Sequence, residues 1–160
     1  MGFKKNTFRN KSQISGKNKL QKKLISTINQ DVRFSEVDSL GIVWHGHYLR
    51  YFEDGREAFG KKYQLGYLDF YAQGYVVPIV NVQCDYKKFL RYGDSIIIET
   101  TYIPCEPAKI NLHYRLLNAK TEELIVTGST TQVFLSIDNF ALQLTNPDFF
   151  QDWKLKQSMV

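Results

Sequence analysis

Apolar and polar residues alternate along this chain in two periods, and the change of period marks the elements. Between 46 and 62 the residues Tyr48, Phe52, Gly55 and Phe59 recur at i, i+4, i+7 and i+11, with Arg50, Glu53, Asp54, Arg56 and Glu57 off that stripe. This is the spacing of one buried helix face and predicts the main helix over 46–62. Gly55 inside the stripe costs a helix about 1 kcal/mol relative to Ala. Close approach of the helix to a sheet would offset that cost. Elsewhere the period is two. Ile110, Leu112, Tyr114 and Leu116 oppose Asn111, His113 and Arg115 in a strand over 109–117, and this alternation is the cleanest in the chain. Further strands are predicted over 24–34, 76–86 with Pro78 near its start, 94–103, and 123–137 with a bend at Gly128. A short helix or turn covers 66–73, and 147–154 forms a terminal helical turn.

The order β-α-β-β-β-β with short turns requires a largely antiparallel sheet, hence an α+β fold of one domain over 24–155. One helix covers one face of such a sheet, and long edge strands invite pairing. A symmetric partner, in a homodimer or homotetramer, relieves both problems.

The chain's 160 residues with 43% apolar content supply one core. Cys84 and Cys105 have no C-x-x-C spacing, which fits a reducing cytoplasm. No apolar run is long enough to span a membrane. The net charge of +5 is unevenly spread. Residues 1–30 hold eight Lys and Arg and no acid, whereas 31–160 hold 13 basic and 16 acidic residues, a net of −3. The composition of 1–23 predicts a flexible basic extension. Its plainer reading is a solvated extension, and the alternative is an acidic partner such as nucleic acid, anionic lipid or an acyl carrier protein. The acidic remainder speaks against nucleic acid for the folded domain.

Candidate chemistry concentrates in Asp38-Ser-Leu-Gly41-Ile-Val43-Trp44-His45-Gly-His47-Tyr48. Here a carboxylate precedes a glycine-containing loop and a helix start. A helix start presents unpaired N–H groups and about half a positive charge. Such donors polarise a carbonyl oxygen while the carboxylate acts on the carbonyl carbon, a geometry suited to acyl transfer. Taken alone, Asp38 reads more readily as a turn residue bonding its own backbone than as a catalytic one. A two-histidine, one-carboxylate metal site built from His45, His47 and Asp38 is a rival, but only His113 remains as a further histidine, and it alternates opposite an apolar face as a surface residue. The G-x-S-x-G elbow, the P-loop and G-x-G-x-x-G are absent from the sequence.

Asp-x-x-Gly-Ile-Val-Trp-His-x-x-Tyr resembles the active-site signature of the hotdog-fold acyl-CoA thioesterases, in the branch of 4-hydroxybenzoyl-CoA thioesterase. The likeness runs over roughly 26–139. It implies a hotdog fold, a long helix wrapped by a largely antiparallel five-stranded sheet, with active sites at a dimer interface. It implies hydrolysis of acyl-CoA, or of acyl carrier protein thioesters, without metal or organic cofactor, coenzyme A being part of the substrate. Asp38 becomes nucleophile or general base, and the backbone N–H of His45 faces the thioester oxygen. Gly41 supplies a special loop conformation, and Val43, Trp44 and Tyr48 flank the site, the last two as core packing rather than substrate contacts. Lys87, Lys88 and Arg91 form a basic turn that either meets coenzyme A phosphates or is merely solvated. Tyr63, Tyr67, Phe70 and Tyr71 line an acyl pocket or belong to the core. Two positions depart from the family pattern. His47 stands where Asn is frequent, changing the hydrogen bonding of the loop, and Leu90 stands where Pro is frequent, an expected change in loop stiffness alone. A non-catalytic hotdog module binding acyl groups or a protein is the alternative, and the presence of Asp38 argues against it.

Overall fold

A computed structural model describes residues 22–159, so the expected extension over 1–23 lies almost wholly outside them. Strands β1 (Ile25–Asp31), β3 (Ile79–Tyr86), β4 (Ser95–Ile103), β5 (Lys109–Asn118) and β6 (Leu124–Val133) form one antiparallel sheet in the order β1-β4-β5-β6-β3. Helix α1 (His47–Tyr63) packs against β1, β4 and β5. This is the expected α+β arrangement.

The two periods read in the sequence correspond to two buried surfaces. β4 and β5 bury alternate residues, among them Ile96, Ile98, Ile110, Leu112, Tyr114 and Leu116, all at 2% exposure or less. α1 buries Tyr48, Tyr51, Phe52, Gly55 and Phe59. Gly55 is the point of closest approach: a Cβ there would stand 2.5 Å from Thr100 Oγ1 and 2.8 Å from Ile98 Cγ2. Phe52 stacks on Tyr114 with ring centroids 4.5 Å apart.

Four boundaries differ from the sequence reading. β1 ends at Asp31, opposite Ser95, because its partner strand starts there; a 3₁₀ turn at Phe34–Glu36 follows. The expected strand over 76–86 is two. β2 (Tyr75–Val76) pairs with β7 (Leu135–Ser136), and β3 begins only after Pro78, which has no N–H to donate. The last long strand breaks at Phe134, not at Gly128. Phe134 is fully buried beside Phe70, Phe149 and Phe150, whereas Gly128 stays inside β6 and makes room for the Phe52 ring. The terminal turn is a ten-residue helix, α3 (Asp148–Gln157), held by Phe150 and Trp153. A short helix, α2 (Tyr67–Ala72), follows α1.

β3 is the exposed margin of the sheet. Ile79, Val80 and Val82 are 38%, 58% and 44% exposed, and β3 pairs on one side only among the described residues.

Candidate active site

The loop between the 3₁₀ turn and α1 is a small closed unit. The Asp38 N–H donates to Ile42 O at 2.9 Å, the Gly41 N–H to Asp38 O at 2.9 Å, and Val37 bridges Val43. Gly41 turns the chain at φ +72°, a conformation that favours glycine, as expected. Asp38 Oδ1 accepts the Leu40 N–H at 2.8 Å. Asp38 therefore makes the local turn bond that the plainer reading required. Only one carboxylate oxygen is occupied in this way, and the other makes no hydrogen bond among the described residues.

Helix α1 begins at His47 with Gly46 as its N-cap, so no side chain caps it, and its first turn carries no acid. The N–H groups of His45 and Gly46 have no acceptor among the described residues. A helix end with no side-chain cap and no acid in its first turn is a site for a developing negative charge.

Asp38, Val43, His45, Tyr48, Lys87 and Lys88 all line one cavity of about 350 Å³, together with Leu40, Ile42, Tyr86 and Phe89. Gly41, Trp44 and Arg91 do not line it. Trp44 is 48% exposed, against the core packing expected of it, and its ring lies over Gly46. The Arg91 guanidinium sits over the Phe89 ring, 5.2 Å from its centroid. Tyr48 is core, as expected, at 2% exposure, and burial pushes its phenol up. Lys88 pairs with Glu123, while Lys87 pairs with no carboxylate among the described residues.

Two positions act differently from the sequence reading. Leu90 is more than a change in stiffness. It is fully buried, its N–H donates to the Tyr48 hydroxyl at 3.3 Å, and its carbonyl accepts the Val43 N–H at 2.8 Å. A proline would lack that donor. Tyr86 was not singled out in the sequence, yet its hydroxyl donates to the His45 carbonyl at 2.9 Å and its ring meets Tyr48 edge-on at 5.3 Å.

The four candidate aromatics are dispersed. Tyr63 bonds the backbone of Ile25 and Phe70 is core. Tyr71 is exposed, and Tyr67 lines a separate cavity of about 590 Å³ between α1 and α2. In that larger cavity Arg56 pairs with Glu53 and Lys61 with Glu57, Asp69 accepts the Gly66 N–H at 2.8 Å, and Asp54 makes no ion pair among the described residues. His47 faces a different, polar pocket with Glu36 and Asp54. Among the described residues no group of three His, Cys, Asp or Glu is placed to hold a metal ion. No helix of the described residues is long and apolar enough to cross a membrane.

A family model described as the thioesterase-like superfamily matches residues 32–153. The chain belongs to this superfamily. Among relatives of this thioesterase is YneP of Bacillus subtilis, provisionally named an acyl-CoA thioesterase. It is 30% identical over 124 residues, which cover 77% of this chain and 88% of that protein. Of solved structures, the DHNA-CoA thioesterase of Staphylococcus aureus superposes with a TM-score of 0.73 at 26% identity, over 84% of this chain and 91% of that one. An Asp→Asn variant of 4-hydroxybenzoyl-CoA thioesterase, complexed with 4-hydroxybenzoyl-CoA, superposes at 0.70 with 20% identity, over 81% and 98%. The fold is therefore the hotdog, and the thioesterase's chemistry is thioester hydrolysis.

Proposed function

We propose that the thioesterase hydrolyses acyl-CoA to a carboxylic acid and free coenzyme A, with Asp38 as nucleophile or general base. The observation that carries this reading is the meeting of the Asp38 carboxylate with the uncapped approach to α1 on one cavity. The thioester carbonyl accepts from backbone N–H groups at His45 and its neighbours, so that charge developing on oxygen is stabilised. The His45 side chain is secondary to its backbone. Asp38 either attacks the carbonyl carbon, expelling the thiolate and giving a mixed anhydride that water then hydrolyses to the acid and free Asp38, or takes a proton from a water that attacks the thioester directly. Lys87 and Lys88 on the cavity rim provide cations for coenzyme A phosphates. No metal or organic cofactor enters this scheme.

Names of relatives support coenzyme A esters as the substrate class, aromatic ones included. An acyl carrier protein thioester is the alternative, favoured by eight basic and no acidic residues over 1–30. The exposed apolar edge of β3 supports assembly as a homo-oligomer through that strand. The two free cysteines suit the cytoplasm.

Release of free thiol across aliphatic and aromatic acyl-CoAs tests the reading, with wild type beside Asp38→Asn. We expect turnover by the wild type and a fall of at least about 10²-fold in the variant, the scale of a lost general base, with fold and oligomer unchanged. Full activity in Asp38→Asn would remove the assignment. Wild type inert on coenzyme A esters but active on acyl carrier protein thioesters would move the substrate, not the chemistry.

A further inference from the structure

Glu36, at the end of the 3₁₀ turn and two residues ahead of Asp38, joins three pieces of the site's framework. One carboxylate oxygen, Oε2, accepts the Tyr51 hydroxyl at 2.7 Å and the Arg33 N–H at 2.9 Å. The Glu36 carbonyl accepts the Trp44 N–H at 2.9 Å from the opposite limb of the loop. Tyr51 stands on α1 four residues after its start and is 1% exposed. Neither residue lines the cavity that holds Asp38.

The loop unit from Val37 to Val43 is closed on itself and so moves as one piece. Its outgoing limb is tied to the body by the Val43 N–H, which donates to Leu90 O at 2.8 Å. Its incoming limb, the one that carries Asp38, is tied to α1 through the Glu36 carboxylate and Tyr51. Without the second tie the incoming limb keeps the Phe34–Tyr92 edge contact but loses its hydrogen bond to α1, and Asp38 gains freedom to shift relative to the helix start. A hydrogen bond to an ionised acceptor is short and roughly twice as strong as a neutral one, and a buried hydroxyl has few other acceptors. Tyr51 is held as the neutral donor, because burial and the neighbouring carboxylate both push its phenol up.

We propose that Glu36 and Tyr51 form a positioning clamp that sets the Asp38 carboxylate against the start of α1. The clamp acts on the chemical step through Asp38 and makes no contact with substrate. It rests on the reading of Asp38 as nucleophile or base.

Steady-state kinetics of the full-length protein, on whichever thioester it turns over best, test the clamp with Tyr51→Phe, Glu36→Ala, Glu36→Gln, Asp38→Asn and Tyr51→Phe/Asp38→Asn. Tyr51→Phe should lower kcat about 10- to 100-fold, the scale of a misplacement near 1 Å, while KM stays within about twofold. Glu36→Ala should match it. Glu36→Gln should recover kcat to within about threefold, since a single amide oxygen can accept the two bonds that Oε2 accepts. Adding Tyr51→Phe to Asp38→Asn should change the residual rate little, because a clamp acting only through that carboxylate has nothing left to position. Three results would overturn the clamp: a wild-type kcat in Tyr51→Phe, a rise in KM alone, or the same fold-loss in the Asp38→Asn background. Inactive Asp38→Asn beside unaffected Tyr51→Phe removes the clamp alone. Active Asp38→Asn removes the assignment of Asp38 first, and the clamp with it.

Discussion

At Gly41 the backbone holds φ +72°, and a Cβ built there would find no atom within 4 Å. Any cost of a side chain at this position is therefore conformational, with no steric part. Gly41→Ala should lower stability by about 1 kcal/mol, and Gly41→Asn by less, because asparagine tolerates the left-handed region better than alanine. Urea midpoints of the two variants check this, and equal losses would mean that the φ angle is not the cause. Asp38 and Gly41 were legible in the sequence because their bonds are local, spanning two to four residues. Tyr86 was not, since its hydroxyl reaches His45 across 41 positions. Leu90 was misread for the same reason. Its N–H meets a hydroxyl 42 residues away, and no local pattern encodes that contact. Trp44 looked like core because large aromatics usually are, but its ring instead covers Gly46 at the surface.

Helix α1 and strand β4 press together at Gly55, where the sequence raised a conflict between helix propensity and packing and the structure shows how it is resolved. Alanine at 55 would gain about 1 kcal/mol of helix propensity. It would also place a methyl group 2.5 Å from Thr100 Oγ1 and 2.8 Å from Ile98 Cγ2, both on a strand with no room to yield. Forcing a methylene into a packed core costs about 1–3 kcal/mol, so the packing loss should win. Gly55→Ala is expected to be net destabilising by about 1–2 kcal/mol in chemical denaturation, and a stabilised variant would show that the sheet yields. The strong periods of α1, β4 and β5 made these elements readable. The misread boundaries all depend on distant partners. β2 exists because β7 lies beside it, and β6 stops where Phe134 turns into a cluster with Phe149 and Phe150 contributed by α3. Within its strand Gly128 predicts a bend, but its small size makes room for Phe52 on α1.

For the molecule as a whole, the aromatic core ties stability to alkaline pH. Tyr48, Tyr51, Tyr102 and Tyr114 are each at most 2% exposed, Tyr114 stacking on Phe52 of α1 and Tyr102 meeting Trp153 of α3 edge-on. Burial raises every one of these phenols above the ordinary 10.0, Tyr114 to about 12. In the unfolded chain they would release their protons near pH 10, while the folded protein holds them to higher pH. Above pH 10 the folded state therefore binds more protons than the unfolded state, and stability falls as pH rises. Below pH 10 this contribution is fully present. Lys154 opposes the trend. It is 5% exposed, and burial lowers its ammonium below 10.5, so the unfolded state binds the extra proton and stability gains as pH rises toward that value. Four phenols outweigh one amine, and the amine's effect is spent by pH 10.5, where the phenols' effect is still growing. We expect urea midpoints to stay nearly level from pH 7 to 9 and to drop steeply above about pH 10. Tyrosinate absorbance from the four buried phenols should appear in the same step as the loss of far-ultraviolet circular dichroism. If the whole tyrosine signal titrates smoothly while the circular dichroism holds, these phenols are not sealed in the core, and the tie between burial and alkaline unfolding fails.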